Sequence, residues 1–182
     1  RASGKLVVLI HGLCMNDLQW QRAGHDHGAR LARDLGYTPI YLHYNSGLHV
    51  SVNGRAFAGQ LERLVEAWPV PLTEAVLIGH SMGGLIAFEV ARKFEANGTP
   101  IAALFLSASP APGHGGYDQL KGSDDELLKM VNEMTGSSGQ FVDGRFGETV
   151  LRTLRNYGAI TGYTCPPGTT VACPIYAYAA AD

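Results

Sequence analysis

The stretch from Glu74 to Gly98 limits the possible folds more than any other part of this sequence. Glu74-Ala-Val-Leu-Ile78 is a short apolar run, Gly79-His-Ser-Met-Gly83 follows it directly, and Leu85, Phe88, Ala91 and Arg92 then recur at helical spacing until Asn97-Gly98. Such a stretch reads as a strand that turns at once into a helix, with Asn-Gly as the stop. The same alternation fills the first hundred residues. Lys5-Leu-Val-Val-Leu-Ile10 is a continuous apolar run, as expected for a strand buried on both faces. Trp20, Gly24, His27, Leu31 and Leu35 predict a helix closed by Gly36, and Thr38 to His43 predicts a second strand. Phe57, Leu61, Leu64, Val65 and Trp68 mark one face of the next helix, and Ile101 to Leu106 is a fourth strand. Strands alternating with helices imply a mostly parallel sheet with helices on both faces.

After Ser107 the pattern changes. Ser109-Pro-Ala-Pro-Gly-His-Gly-Gly116 is rich in helix and strand breakers. Ser123 and Glu126 have capping-box spacing and open a helix carrying Leu127, Leu128, Val131 and Met134. Gly136 to Gly147 is polar, Val150, Leu151, Leu154 and Tyr157 predict another helix, and Val171 to Tyr178 returns to strand character. A helical insertion between two sheet strands is placed to act as a lid over the catalytic loops. The expectation is therefore one domain, 1–182, with a lid insertion over 110–162.

Bulk properties exclude several function classes. A net charge of -2 gives no basic field, so nucleic acid and anionic membrane are not expected partners. No apolar run approaches the ~18 residues of a membrane span, so no transmembrane segment is expected. Cys14, Cys165 and Cys173 are odd in number and fit no zinc spacing. Free thiols in a reducing, cytoplasmic setting are the expectation, with a Cys165–Cys173 bridge as the alternative.

The chemistry concentrates at Ser81. In the pattern Gly-x-Ser-x-Gly the serine occupies a strained strand-to-helix turn, where flanking glycines remove Cβ atoms that would collide. The turn lifts the serine oxygen above the sheet and aims a helix N-terminus at developing negative charge. His11-Gly12-Leu13 follows the first strand, where a loop amide can face the same charge. The oxyanion donors are expected to be the backbone N–H groups of Leu13 and Met82, with Gly12 permitting close approach. His11 is read as a structural histidine shaping that loop, and His27 as a core histidine in the apolar stripe.

Two resemblances follow from these residues. Leu77-Ile-Gly-His-Ser-Met-Gly-Gly-Leu-Ile-Ala-Phe-Glu-Val-Ala91, Ala103-Leu-Phe-Leu-Ser-Ala-Ser-Pro-Ala-Pro112, Ser123-Asp-Asp-Glu-Leu-Leu128 and Pro166-Pro-Gly…Cys-Pro-Ile-Tyr176 resemble the type II thioesterases of the α/β-hydrolase superfamily. His11-Gly-Leu-Cys-Met-Asn-Asp-Leu-Gln-Trp20 and Tyr44-Asn-Ser-Gly-Leu-His-Val-Ser-Val-Asn-Gly54 resemble bacterial lipase-type esterases. The first region departs from the Pro-His-Ala-Gly-Gly-like loop more usual in type II thioesterases. The two parts agree on fold and nucleophile and differ in subfamily.

The resemblance implies a serine hydrolase that cleaves carboxylic esters or acyl thioesters through an acyl-enzyme on Ser81, with no cofactor and no metal. The substrate would be a small-molecule acyl ester or thioester, carried or free. The alternative is an inactive hydrolase-fold fragment that only binds acyl ligands or a partner. The resemblance places the triad acid at Asp182, with Asp118 or Asp124 as other positions. It also implies a further strand and a loop bearing the triad histidine after Asp182, so the hydrolase fold reads as truncated before its last strand. His114 is the only histidine after Ser81, and His80 is expected to point elsewhere.

Overall fold

A computed structural model describes residues 1–13, 15–113, 118–135, 145–156 and 162–179. In chain order the elements are β1 (Lys5–Ile10), a 3-10 turn (Asp17–Trp20), a small hairpin of β2 (Gln21–Arg22) and β3 (His25–Asp26), α1 (His27–Leu35), β4 (Thr38–Leu42), α2 (Val50–Glu66), β5 (Glu74–His80), α3 (Met82–Ala96), β6 (Ala103–Ser107), a second 3-10 turn (Asp118–Lys121), α4 (Asp124–Thr135), α5 (Arg145–Asn156) and β7 (Ile175–Tyr178).

Five strands form one sheet in the order β4-β1-β5-β6-β7. Every pairing in it is parallel. The chain starts in the interior, steps out to β4, and crosses back over β1 to β5, which places α1 and α2 on opposite faces. Leu6, Val8, Ile10 and Leu77 pack with Val50, Phe57 and Leu61 of α2 and with Ile86, Val90 and Phe94 of α3. Val7, Leu9 and Val76 face the other way, toward Leu31 of α1 and Trp20. Both faces of β1 are thereby covered, which explains why its sequence is apolar without alternation. The fold is the expected α/β architecture.

The helix expected from Trp20 to Leu35 is shorter than its periodicity suggests. Ala23 and Gly24 both take positive φ, at 50° and 77°, and turn the β2–β3 hairpin. The helix starts only at His27, where the Asp26 side chain accepts from the Ala29 N–H as N-cap. His27 is not a core residue; it is exposed, with its ring in T-shaped contact with Trp20 and His25.

Two helices of the insertion are described. Ser123 and Glu126 form the expected reciprocal cap, with the Ser123 N–H donating to Glu126 and the Glu126 N–H to Ser123 Oγ. α4 and α5 pack on each other, joined by Arg155 donating to Asp124 Oδ1 at 2.6 Å, and Leu127 is fully buried. Among the described residues no helix is long and apolar enough to cross a membrane.

Candidate active site

Ser81 sits between the last residue of β5 and the first of α3, with φ 54° and ψ -126°. Positive φ is costly for a residue with a Cβ, so the surrounding packing must hold it there. Three glycines show how. A Cβ on Gly79 would lie 2.5 Å from the Gly84 Cα, so β5 and α3 could not meet at so sharp an angle. A Cβ on Gly83 would lie 2.2 Å from the Ile10 carbonyl oxygen, so α3 could not rest on the end of β1. A Cβ on Gly84 would strike Ser109 Oγ at 2.4 Å. The elbow is also tied sideways, because the Ser81 N–H donates to the Ser107 carbonyl at 2.8 Å.

The loop after β1 presses against this turn. A Cβ on Gly12 would lie 3.1 Å from Ser81 Cβ and 3.2 Å from the His80 carbonyl oxygen. Leu13 therefore follows a residue with little room for a Cβ against the serine, and Met82 follows the serine itself. The N–H of Met82, first in α3, belongs to the set that an α-helix leaves without an intrahelical acceptor. The structure thus brings Gly12 and Ser81 close together, with Leu13 and Met82 next to them in the chain. Asp182 and His114 lie outside the described residues, as does Cys14. Asp124 is engaged by Arg155, and Cys165 and Cys173 are free thiols.

The histidines nearest in sequence are committed elsewhere. His11 is buried, its Nδ1–H donating to the Gly12 carbonyl at 2.7 Å. Burial lowers its pKa, with the Gly12 bond opposing. His80 turns away from Ser81: it reaches Ser107 Oγ at 3.5 Å and lines a cleft of about 700 Å³ on the α1 face, floored by Leu9, Ile78 and Phe105. That cleft does not include Ser81 among its lining residues.

Sequence reasoning passed over Tyr44 and Tyr163. Tyr44 stacks on His11 with ring centroids 4.3 Å apart and donates its hydroxyl to the His11 carbonyl at 2.5 Å. Its placement immediately after the second strand, opposite the loop after the first, was the available signal. Tyr163 donates to Glu89 Oε1 on α3 at 2.5 Å, where Arg92 also donates to Oε2 at 2.8 Å. A contact between residues so far apart in sequence leaves no local pattern.

The chain matches the thioesterase domain family over residues 71–180. It belongs to that family. It is 54% identical over 108 residues to Thioesterase TesA of Mycobacterium marinum, covering 58% of this chain and 43% of that protein. It is 43% identical over 146 residues to Thioesterase TesA of Mycobacterium leprae, covering 76% of this chain and 56% of that protein. The second share is larger than the residues from 71 onward could supply, so the likeness extends into the N-terminal part. The chain spans about half the length of these curated relatives. Among solved structures it resembles the RedJ thioesterase from the prodiginine biosynthetic pathway in Streptomyces coelicolor, with TM-score 0.69 and 23% identity over 97% of this chain and 70% of that one. It also resembles the type II thioesterase BorB from the borrelidin biosynthetic cluster, with TM-score 0.63 and 23% identity over 98% and 71%. These structural likenesses bear on the fold, and the fold is that of an α/β-hydrolase-type thioesterase.

Proposed function

We propose that this thioesterase-family chain hydrolyses acyl thioesters through an acyl-enzyme on Ser81. The observation that carries the reading is the close approach of Gly12, with little room for a Cβ, to a Ser81 held at positive φ under the first turn of α3. Ser81 Oγ attacks the thioester carbonyl carbon and the carbonyl electron pair moves to oxygen. The backbone N–H groups of Leu13 and Met82 take that oxyanion. Collapse expels the thiolate, which takes up a proton, and water then attacks the acyl-enzyme and releases the acid. A histidine from outside the described residues moves the proton, with Asp182 orienting it. This serine route calls on no metal or organic cofactor.

Relatives named for biosynthetic clusters support an acyl group delivered on a carrier as the substrate. The free Cys165 and Cys173 fit a reducing compartment, so the reading places the reaction in the cytoplasm. The lid reading assigns α4 and α5 to the acyl entrance. Hydrogen exchange should then run faster in both helices than in β1 and β5, and equal protection would remove the lid from the mechanism.

A second reading, a carboxylesterase, is favoured by the lipase-like stretches His11–Trp20 and Tyr44–Gly54. A fluorophosphonate probe tests the serine. Labelling of the chain that Ser81→Ala abolishes supports the acyl-enzyme route, and labelling that survives the substitution rejects it. Comparing acyl-thioester with p-nitrophenyl ester turnover separates the two enzyme readings. No labelling at all would favour a fold that only binds acyl groups.

A further inference from the structure

Two carbonyls and two amides alternate along His11-Gly12-Leu13, and an oxyanion site there needs an amide, not a carbonyl, turned toward Ser81. The structure accounts for both carbonyls. The His11 carbonyl accepts from Tyr44 Oη, and the Gly12 carbonyl accepts from the His11 ring. A carbonyl can only accept, so the proton in the second bond sits on His11 Nδ1. Nε2 is then the unprotonated nitrogen; it is buried and without a partner among the described residues. No peptide bond here is cis, so the Leu13 N–H points opposite to the Gly12 carbonyl. With that carbonyl held by a ring that is 1% exposed, the Leu13 N–H is fixed on the opposite side of the peptide. Tyr44 in turn fixes the ring, stacking on it at 4.3 Å and 23°.

We infer that His11 and Tyr44 are positioning residues that orient the Gly12–Leu13 peptide, so that the Leu13 amide is presented to the oxyanion formed at Ser81. This rests on the serine reading of the preceding subsection. Neither side chain touches the reacting atoms. His11 acts through one hydrogen bond made by one tautomer, and Tyr44 acts through His11. Asparagine carries an N–H donor near the position of a histidine Nδ1, whereas the glutamine amide extends toward that of Nε2. The inference therefore ranks substitutions in a way that bulk or burial alone does not.

The experiment uses the 182-residue chain and an alkyl boronic acid, whose tetrahedral adduct with a serine oxygen occupies an oxyanion site without requiring turnover. Binding is followed by calorimetry, and ring ¹⁵N shifts report the His11 tautomer. The wild-type spectrum should show a protonated Nδ1 and an unprotonated Nε2 at neutral pH. His11→Leu and His11→Gln should weaken the boronate on the order of 10- to 100-fold, less than the ~10²–10³-fold that outright loss of an oxyanion donor costs, because the amide is misoriented but still present. His11→Asn should recover most of that loss, and Tyr44→Phe, which keeps the stack and loses the hydroxyl, should fall between. Circular dichroism identifies any variant that fails to fold, and the Asn–Gln comparison and the tautomer then decide. Wild type that binds while Asn and Gln variants bind alike overturns the inference and leaves the serine reading standing. A protonated Nε2 with a bare Nδ1 also overturns it. Wild type that takes up no boronate, or Ser81→Ala that takes it up equally, overturns both.

Discussion

Gly83 of α3 rests on the Ile10 carbonyl at the end of β1, so closely that a Cβ there would stand 2.2 Å from the oxygen. The helix that follows Ser81 is thus seated on the strand that leads into the Gly12–Leu13 loop, which the proposed mechanism uses for its second oxyanion amide. Adding one methyl must separate the two, because a main-chain carbonyl inside a parallel sheet cannot swing aside. Gly83→Ala should destabilise the fold by about 3 kcal/mol, at the upper end of ordinary overpacking. A urea midpoint shifted by less than a third of that would show that α3 can lift without cost.

Ser81 offers the opposite experiment. Its φ of 54° and ψ of -126° store strain of roughly 1–3 kcal/mol. Glycine would relieve this strain and cost roughly 0.5–1 kcal/mol in backbone freedom. The first effect outweighs the second. Ser81→Gly should be more stable than Ser81→Ala by about 1 kcal/mol, although neither can form an acyl-enzyme. Equal urea midpoints for the two variants would mean that the elbow is not strained.

How much of this was legible in the sequence depends on whether the controlling contact is local. The strand–turn–helix at 79–83 could be read because its glycine spacing is a local pattern, although the contact that requires Gly83, with the Ile10 carbonyl, is distant in sequence. The start of α2 could not. Ser51-Val-Asn-Gly54 looks like loop sequence, yet α2 begins at Val50 behind a His49 cap. Gly54 is there for packing, since a Cβ on it would meet Glu89 Cβ of α3 at 2.8 Å. Likewise Trp20, Gly24 and His27 keep helical spacing through a hairpin that Ala23 and Gly24 turn, and of the predicted stripe Trp20 and Leu31 pack on the sheet. That the loop after β1 meets the turn after β5 was inferable from the order of the elements. The hydrogen bond and ring stack that tie that loop to Tyr44 were not.

The Glu89–Tyr163 pair joins α3 to the chain returning from the insertion, and it has a pH signature. Burial alone would raise the Glu89 carboxyl, but donation from Tyr163 and Arg92 outweighs it and the net shift is downward. A carboxyl depressed by folding stabilises the fold above its unfolded value of 4.5 and loses that contribution as pH falls through the folded value. Tyr163→Phe leaves one oxygen of a 4% exposed carboxylate without its donor. The variant should lose about 1–3 kcal/mol at neutral pH. The gap from wild type should narrow below pH 4.5, where Glu89 protonates in the variant first. A gap that widens on acidification would contradict the assignment.

The last prediction concerns turnover by the 182-residue polypeptide itself. Six of its seven histidines lie among the described residues, and each of the six has a contact with a group other than Ser81. His11 donates to Gly12, His43 to Asp17 at 2.7 Å, and His49 meets Ser51 Oγ at 2.8 Å. His80 reaches Ser107, while His25 and His27 stand edge to edge at 4.6 Å on the α1 side. His114 lies in the opening loop of the insertion, ahead of its helices, a position from which this fold does not ordinarily draw its base. A serine hydroxyl without a base stays neutral near pH 7 and attacks slowly, leaving only ~10³–10⁴-fold catalysis over water from the oxyanion donors and binding. Thioester hydrolysis by this polypeptide should therefore be weak, reduced further by Ser81→Ala and unchanged by His114→Ala. Vigorous hydrolysis lost in His114→Ala would make His114 the base and move the proton-transfer side of the site to the opening loop of the insertion.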